Sequence, residues 1–555
     1  AILAQALAAY MSGPAEAKRT RKKPPTCWAA MRAMSPRVER VVFLALSASC
    51  WLPAAASADG ELSWSSFLTQ SFYNLTIVPL LLATVVLAYL ARPSTTDEFP
   101  AGFVRFQVIY LSVWALCVAA DWLQGPFVYA LYADYGFSEA EIAQLFVAGF
   151  GSSLVFGCFV GTFADKFGRK RSCLLYCLMY ILSCMTKHCK SYSWLMVGRI
   201  TGGIATSLLF SCFECWMVSE HQQRHRFSGG LLGFMFGLMY TIMYCVAIAS
   251  GLAGQAAADA MPFEPIYEGS IVYMGGKCGP FDLAIACLVV ATGLIAVFFE
   301  ENYGSSDGDG GSAGSPSLMD NVMTAGRLLF TDRRVLLLGF VVSAFEGSMF
   351  AFVFNWTPAL RSEAIPPPHG VIFALFMMAC MCGASSATLL GGSVLPALRL
   401  MGTFFVAFAA FAVSSYAAAG HNEDYLRTSF ASFLLFEFCC GVYFPSVGVL
   451  KSSIVPEKVR GTVYNLYRVP LNGIVVSLLL SNISMATCFK MNALLLVGAF
   501  LCIASISTTK ESADAAKYDV VPDSAGQDLE MVSSAPPAAP LGRRRVGNDV
   551  ASDPV

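Results

Sequence analysis

Gly161-Thr162-Phe163-Ala164-Asp165-Lys166-Phe167-Gly168-Arg169-Lys170-Arg171 lies between two long apolar runs. The pattern is G-x-x-x-D-[RK]-x-G-R-[RK]-[RK]. Its glycines permit a tight turn and a close approach of two helices. Asp165 is placed to cap the next helix N-terminus, and to pair with Arg169 or with a basic residue elsewhere. Gly161, Asp165, Gly168 and Arg169 are therefore expected to act as a latch that holds one conformation and releases in another. A plain basic loop would carry the charge but not this spacing.

Outward from this loop, the sequence is membrane-like. Apolar residues make up 56% of the 555 and charged residues 13%, where a soluble domain carries roughly a quarter charged. That much apolar mass cannot be coated in water. Runs long enough to cross a hydrocarbon core of about 30 Å fall at 72–91, 104–132, 141–164, 170–188, 193–218, 228–253, 279–299, 334–358, 369–392, 399–419, 428–451, 463–482 and 488–508. Lipid offers no water to unpaired backbone groups, so each run must be a helix. The expected class is an all-α polytopic membrane protein. With the first span set aside, the long loop 304–333 separates six spans from six.

Charge orients these spans. Loops on the side of Arg169 hold fifteen Lys and Arg, Lys451 among them; the other side holds six, Lys187, Lys190, Lys277, Arg361, Arg427 and Lys490. The positive-inside bias places the Arg169 side in the cytoplasm. Arg37 and Arg40, the run Val41–Ala56 and Ala56-Ser57-Ala58 read as a signal peptide, with Met31 or Met34 as the start; a short membrane segment is the alternative. A cleaved signal leaves the mature N-terminus outside, in agreement with the charge count. The expected organisation is then 1–58 signal peptide and upstream segment, 59–99 outer N-terminus with an additional membrane helix, and 100–303 a six-helix bundle. It continues with 304–333 a cytoplasmic linker centred on Gly304–Gly314, 334–508 a second six-helix bundle, and 509–555 a disordered cytoplasmic tail. Asn74-Leu75-Thr76 is a glycosylation sequon on the outer side, close to the membrane.

Charges inside the spans mark the candidate site, because each would be costly against lipid. They are Asp121, Arg199, Glu214, Glu346, Glu437 and Arg468, with Gln124 and Asn355 as polar linings. Arg199 stands before Gly202-Gly203; it is read equally as a substrate or coupling group and as a structural partner of Asp121 or Glu214. Asp121 and Glu346 fall in the first helices of the two halves. Glu214 and Glu437 fall in their fourth helices, where tying helix ends to loops is the competing role.

The Gly161–Arg171 pattern and the Arg199 segment resemble the major facilitator superfamily. That resemblance implies two pseudo-symmetric six-helix halves and alternating access around a midplane site. The second half has only a degenerate loop counterpart near Gly391, Gly392 and Arg399. Several further runs are similar to the eukaryotic molybdate-anion transporter branch, also described as the major facilitator superfamily domain-containing protein 5 type. They are Asp121-Trp-Leu-Gln-Gly-Pro126, Phe213-Glu-Cys-Trp216 with Glu220-His221 and Arg224-His225, Glu301-Asn-Tyr303, Asp332–Gly339, Trp356-Thr-Pro358, Cys440–Pro445 and Tyr467–Leu471. The likeness spans roughly residues 100–508 and the additional first helix. It implies uptake of a tetrahedral dianion through the cell membrane.

Arginine suits an oxyanion, and Arg199 and Arg468 are the guanidiniums found well inside spans. Four carboxylates share the interior, so one of them, Asp121 or Glu346, is expected to carry a proton that offsets substrate charge. No H-E-x-x-H pattern is present, and the two G-x-S-x-G matches, Gly304–Gly308 and Gly310–Gly314, fall in the Gly/Ser-rich linker rather than between a strand and a helix, so an enzyme is not expected. The nineteen cysteines are scattered through apolar runs and read as small packing residues. The His221/His225 pair beside Arg224 reads as a solvated face. No cofactor, metal or nucleic acid is expected, and the chain is expected to work as a monomer in the bilayer. A duplicated bundle with charge in both halves disfavours a non-transporting receptor; a same-fold carrier of another anion, a sugar or a drug-like solute stays open.

Overall fold

The computed structural model describes residues 71–157, 159–303, 318–362, 366–418, 423–456, 460–481 and 483–507. The proposed signal peptide, the centre of the linker and the C-terminal tail lie outside the described residues.

The first membrane helix is α1 (Phe72–Leu90). Six spans follow as α2 (Phe103–Gln124) with α3 (Val128–Asp134), α4 (Glu139–Gly157) with α5 (Val160–Phe167), α6 (Arg169–Thr186), α7 (Tyr192–Ser219), α8 (Gly229–Asp259) and α9 (Gly279–Phe298). After α10 (Leu318–Thr331) come six more: α11 (Arg333–Ala359), α12 (His369–Leu390), α13 (Pro396–Ala417), α14 (Glu423–Ile454), α15 (Arg460–Leu480) and α16 (Met485–Ser507). Twelve of the described helices are long and apolar enough to cross a membrane. The span α6 comes in addition; three basic residues in its first turn, Arg169, Lys170 and Arg171, lower its apolar character.

Two expectations change. The first core span is not one rod: α2 stops at Gln124 and α3 resumes at Val128. Gly125-Pro126 explains the break, since proline lacks an N–H and clashes with the preceding turn. The stretch 304–333 is not all linker. Its second part is the amphipathic helix α10, which packs on α11 and α15.

The additional helix α1 docks on the second half, although it precedes the first in sequence. Its Thr84 hydroxyl lies 3.3 Å from Cys382 Sγ of α12, and Tyr73 sits edge-on to Phe430 at 4.9 Å. The opposite face, with Leu75, Leu82 and Val86, is left for lipid. Covered by α1 on one side and α8 and α14 on others, α12 is buried along nearly its whole length.

The halves meet most closely at the end remote from Gly168. There Gly251 of α8 and Gly370 of α12 stand backbone to backbone; a Cβ on Gly251 would lie 2.6 Å from the Gly370 carbonyl oxygen. Only glycine allows that approach. Tyr129 and Phe146 pack against Phe354 at 5.3 and 5.4 Å, and Phe150 against Phe350 at 5.0 Å. Aromatic rings thus seal this seam. A short hairpin pairs Glu264–Pro265 with Tyr273–Met274 at the same end.

Candidate functional site

At the Gly168 end, α5 turns into α6. Gly168 has φ +104°, a backbone that side chains rarely adopt. The turn also brings Glu301 so close that a Cβ on Gly168 would lie 2.6 Å from its carboxylate. Asp165, in the last turn of α5, accepts from Arg169 Nε at 3.0 Å and Nη2 at 2.8 Å. Arg169 also donates to the Cys215 carbonyl on α7 at 3.2 Å. The expected Asp165–Arg169 pair is therefore formed within the first half. The expected Asp165 cap is not. Its carboxylate is already committed to Arg169, and the α6 N-terminus is served by Glu301, which accepts from Lys170 N at 2.8 Å. Gly161 lies in the first turn of α5.

A brace from the end of α9 completes this turn. Arg169 N donates to the Asn302 carbonyl at 2.9 Å, and Trp216 Nε1 donates to the Glu300 carbonyl at 2.8 Å. The Trp216 and Phe299 rings stack at 3.6 Å. Arg224 pairs with Glu220 at 3.3 Å and with Glu300. That hydrogen bond holds the Glu300 carboxyl below the usual carboxylate range. The run Glu301-Asn-Tyr303 was legible as a motif, but its contact with Gly168 was not.

Inside the bundle each half holds one acid against a tyrosine. Asp121 of α2 accepts from the Tyr180 hydroxyl on α6. Glu346 of α11 accepts from the Tyr443 hydroxyl on α14 at 3.1 Å. Glu346 has a further neighbour that sequence reasoning placed in a loop: Lys451 Nζ lies 3.9 Å from its carboxylate. Lys451 is buried in the last turn of α14, with its ammonium 5.1 Å from the centre of the Tyr464 ring. A cation at a helix end reads as a loop charge until the packing shows its stem reaching inward.

The arginines stand apart from the acids. Arg199 Nε donates to the Leu145 carbonyl at 3.1 Å, and its guanidinium lies 4.5 Å over the Phe146 ring. The expected structural pairing with Asp121 or Glu214 is not made. Counting 1.5 Å per residue, Arg199 sits roughly 10 Å into α7 from the aromatic end, and Arg468 roughly 12 Å into α15 from the Gly168 end. Arg468 faces Gly157 of α4 across the halves; its Nη1 would lie 3.5 Å from a Cβ there. Neither arginine has a carboxylate partner among the described residues. Glu437 is buried on α14, and Glu214 is partly buried on α7; neither has a hydrogen-bond partner among the described residues. Gln124 donates to the Ala120 carbonyl, and Asn355 to that of Ala351 and toward Cys488 Sγ. Both polar amides are thus spent on their own helices and near neighbours. Among the described residues no group of three or more metal-ligating side chains converges.

Two six-helix halves preceded by one additional helix form the fold of a major facilitator transporter. Solved transporters share this fold at low identity. The nucleoside transporter NupG superposes with a TM-score of 0.53 at 12% identity, over 73% of this chain and 99% of that one. A D-xylose-proton symporter gives 0.52 at 13%, over 72% and 97%. A family described as sugar transporters with 12 TM matches residues 70–419. The chain is 33% identical to the molybdate-anion transporter of Xenopus tropicalis, over 75% of this chain and 90% of that protein. It is 32% identical to that of Danio rerio, over 69% and 80%. The chain belongs to the molybdate-anion transporter family, and it is an integral multi-pass membrane transporter.

Proposed function

We propose that the protein carries molybdate, or a closely similar tetrahedral oxyanion, into the cell by alternating access. The observation that supports an anion is the state of Arg199 and Arg468: both lie in membrane helices without a carboxylate partner among the described residues. Unpaired guanidiniums are costly in lipid and suit a planar or tetrahedral oxyanion. The names of the relatives narrow that anion to molybdate. In this reading the Gly168 end is cytoplasmic, as the loop charge argues. The mature N-terminus then lies outside a plasma membrane after cleavage near Ala58, and the tail 509–555 lies inside. Residues 100–303 and 334–508 rock as two units joined by the cytoplasmic segment 304–333, and the protein acts as a monomer.

Protons serve as the coupling ion. Asp121 and Glu346 each already accept a tyrosine hydroxyl, and a proton on one of them offsets the charge of the dianion. Asp121 is the better candidate, because Lys451 neutralises Glu346. Uptake of radiolabelled molybdate into proteoliposomes, with sulfate and phosphate as competitors, tests the reading. Uptake is expected above empty-vesicle background, to fall at least ten-fold in Arg199→Ala, and to lose its pH dependence in Asp121→Asn. No uptake of molybdate, with a different anion or a neutral solute transported instead, would remove the substrate assignment and leave the fold in place.

A further inference from the structure

Helices α4 and α7 cross closely in the first half. A Cβ on Gly203 would lie 2.4 Å from the Gly149 carbonyl oxygen, an approach that only glycine allows. One turn further along both helices, the same crossing brings two hydroxyls together. Ser153 Oγ and Ser207 Oγ are 3.1 Å apart, and the Ser207 hydroxyl reaches the Ser153 carbonyl at 2.9 Å. One hydroxyl hydrogen is thus spent on the main chain. The other lies between the two oxygens and is free to turn toward a ligand. Both serines are only partly buried. After one more turn α4 carries Gly157, with no side chain to close the space beside Ser207.

Arg468 of α15 enters that space from the second half. A Cβ on Gly157 would stand 3.5 Å from Arg468 Nη1 and 3.7 Å from Ser207 Oγ. A guanidinium of one half and a hydroxyl pair of the other therefore flank a single gap. The guanidinium is exposed and makes no hydrogen bond or ion pair among the described residues. An arginine inside a membrane span is costly against lipid and is kept where it faces a polar cavity or a ligand. Its planar fork takes two oxygens of an oxyanion side by side. A tetrahedral anion then turns its other oxygens to the opposite wall, where the serine hydroxyls stand. In the present state the gap admits a methyl group at ordinary contact distance. Being exposed, the guanidinium can draw back for a larger guest.

We propose that Arg468, Ser153 and Ser207 form an oxyanion bridge between the halves, centred on the gap at Gly157. The inference deepens the reading of the protein as an oxyanion carrier and rests on it for the identity of the anion. It gives Arg468 its first-half partners and makes the two serines the groups that favour an oxyanion over a halide. Because the two walls belong to different halves, the bridge holds the anion while α4 and α15 stay in contact and gives it up as they part.

The test is the thermal midpoint of the purified full chain in detergent, titrated with sodium molybdate, sodium sulfate and sodium chloride at equal ionic strength. Molybdate is expected to raise the midpoint of the unaltered protein. Gly157→Ala places a methyl group in the gap without a clash and is expected to weaken the apparent Kd about ten-fold. Ser153→Ala combined with Ser207→Ala removes both hydroxyls and should weaken it about five-fold, which keeps the test usable if one variant does not fold. Arg468→Lys keeps the charge, loses the fork and should retain part of the response. Ser152→Ala is the control: that hydroxyl bonds the Gly149 carbonyl of its own helix at 2.9 Å, and its loss should leave the Kd unchanged. An unchanged Kd in both Gly157→Ala and the serine pair, with molybdate still bound by the unaltered protein, would overturn the bridge and leave the oxyanion reading intact. So would the absence of a midpoint shift with any of the three salts while proteoliposomes still take up molybdate. An equal response to chloride would overturn the preference assigned to the serines. Stabilisation by sulfate but not molybdate, lost in Gly157→Ala, would uphold the bridge and overturn the molybdate reading.

Discussion

The turn at 161–169 and the turn at 391–399 occupy equivalent places in the two halves, and the second lacks the acid, the lysine and the glycine of the first. Gly161 and Arg169 are matched, at the same spacing, by Gly391 and Arg399. Asp165 is matched by Leu395 and Gly168 by Leu398. The arginines do parallel work: Arg169 reaches a carbonyl of α7, and Arg399 donates to Ser446 of α14 at 3.3 Å. In the second half the Val394 carbonyl, 2.9 Å from Arg399 Nη1, is one acceptor of this guanidinium. The duplicated frame therefore needs the arginine to tie two helices together. The acid and the glycine are additions of one half, and they admit the Glu301 brace. The interior charges diverge in the opposite sense. The second half pairs one of its acids, Glu346, with Lys451, whereas in the first half neither Lys187 nor Arg199 pairs with an acid among the described residues.

This contrast can be broken at its strongest point first. Lys451→Met leaves Glu346, whose side chain is 19% exposed, with only Tyr443 among the described residues, and losing the partner of a half-buried polar group costs about 1–3 kcal/mol. The thermal midpoint of the purified protein should drop by several degrees, and Lys451→Met with Glu346→Gln should recover most of it. Asp121→Asn in the first half breaks no ion pair and should cost less than either single change. If Asp121→Asn costs more than Lys451→Met, the asymmetry is misread. Next in size, Gly168→Val forces a β-branched residue into φ +104° against Glu301; strain of this kind costs about 1–3 kcal/mol. Leu398→Gly at the matched place should cost less than about 1 kcal/mol, and equal losses would sink the comparison.

Smaller effects sharpen it further. Asp165 is more than one-third exposed, so Asp165→Asn should cost only about 0.5 kcal/mol of stability. Its larger consequence should be a several-fold change in uptake rate, since the pair with Arg169 anchors α6. Leu395→Asp restores an acid at the place that matches Asp165; it should change stability by less than about 1 kcal/mol and slow uptake. A gain in uptake would count against a latch role for these turns. The smallest effect is expected at Glu300. Its carboxyl is held low by Arg224, so the contribution is present above the ordinary carboxylate range, near pH 4.3, and is lost as pH falls below it. Glu300→Gln should flatten the acid limb of a midpoint-against-pH curve, and added salt should shrink the difference. An acid limb unchanged in Glu300→Gln would show that the Arg224 pair does not report in stability.

Much of this was legible in the chain because lipid simplifies the reading. A run of about 20 apolar residues has no alternative to a helix, so every expected span has a helix at its place. The break at Gly125-Pro126 and the helix α10 were missed for different reasons. The first is a local rule overridden by the length of the apolar run. The second is an amphipathic stretch whose partners, α11 and α15, come later in the chain. Buried charges could be found by their position in a run, as with Asp121 and Glu346. Lys187 and Lys451 could not, because a residue at the edge of a run gives no sign of whether its side chain turns inward or out.

The sequence by itself determined the helices, the duplication, the latch pattern and the family, since each depends on composition and spacing along one line. Tertiary structure alone decided which charges meet. It set Lys451 against Glu346, Glu301 against Gly168 and α1 against the second half. It left Lys187 buried against Gly198, with no acid to answer it among the described residues. Charge pairing acts over a few ångströms in space, while the partners stand tens or hundreds of residues apart in the chain; only the packed bundle brings them within reach.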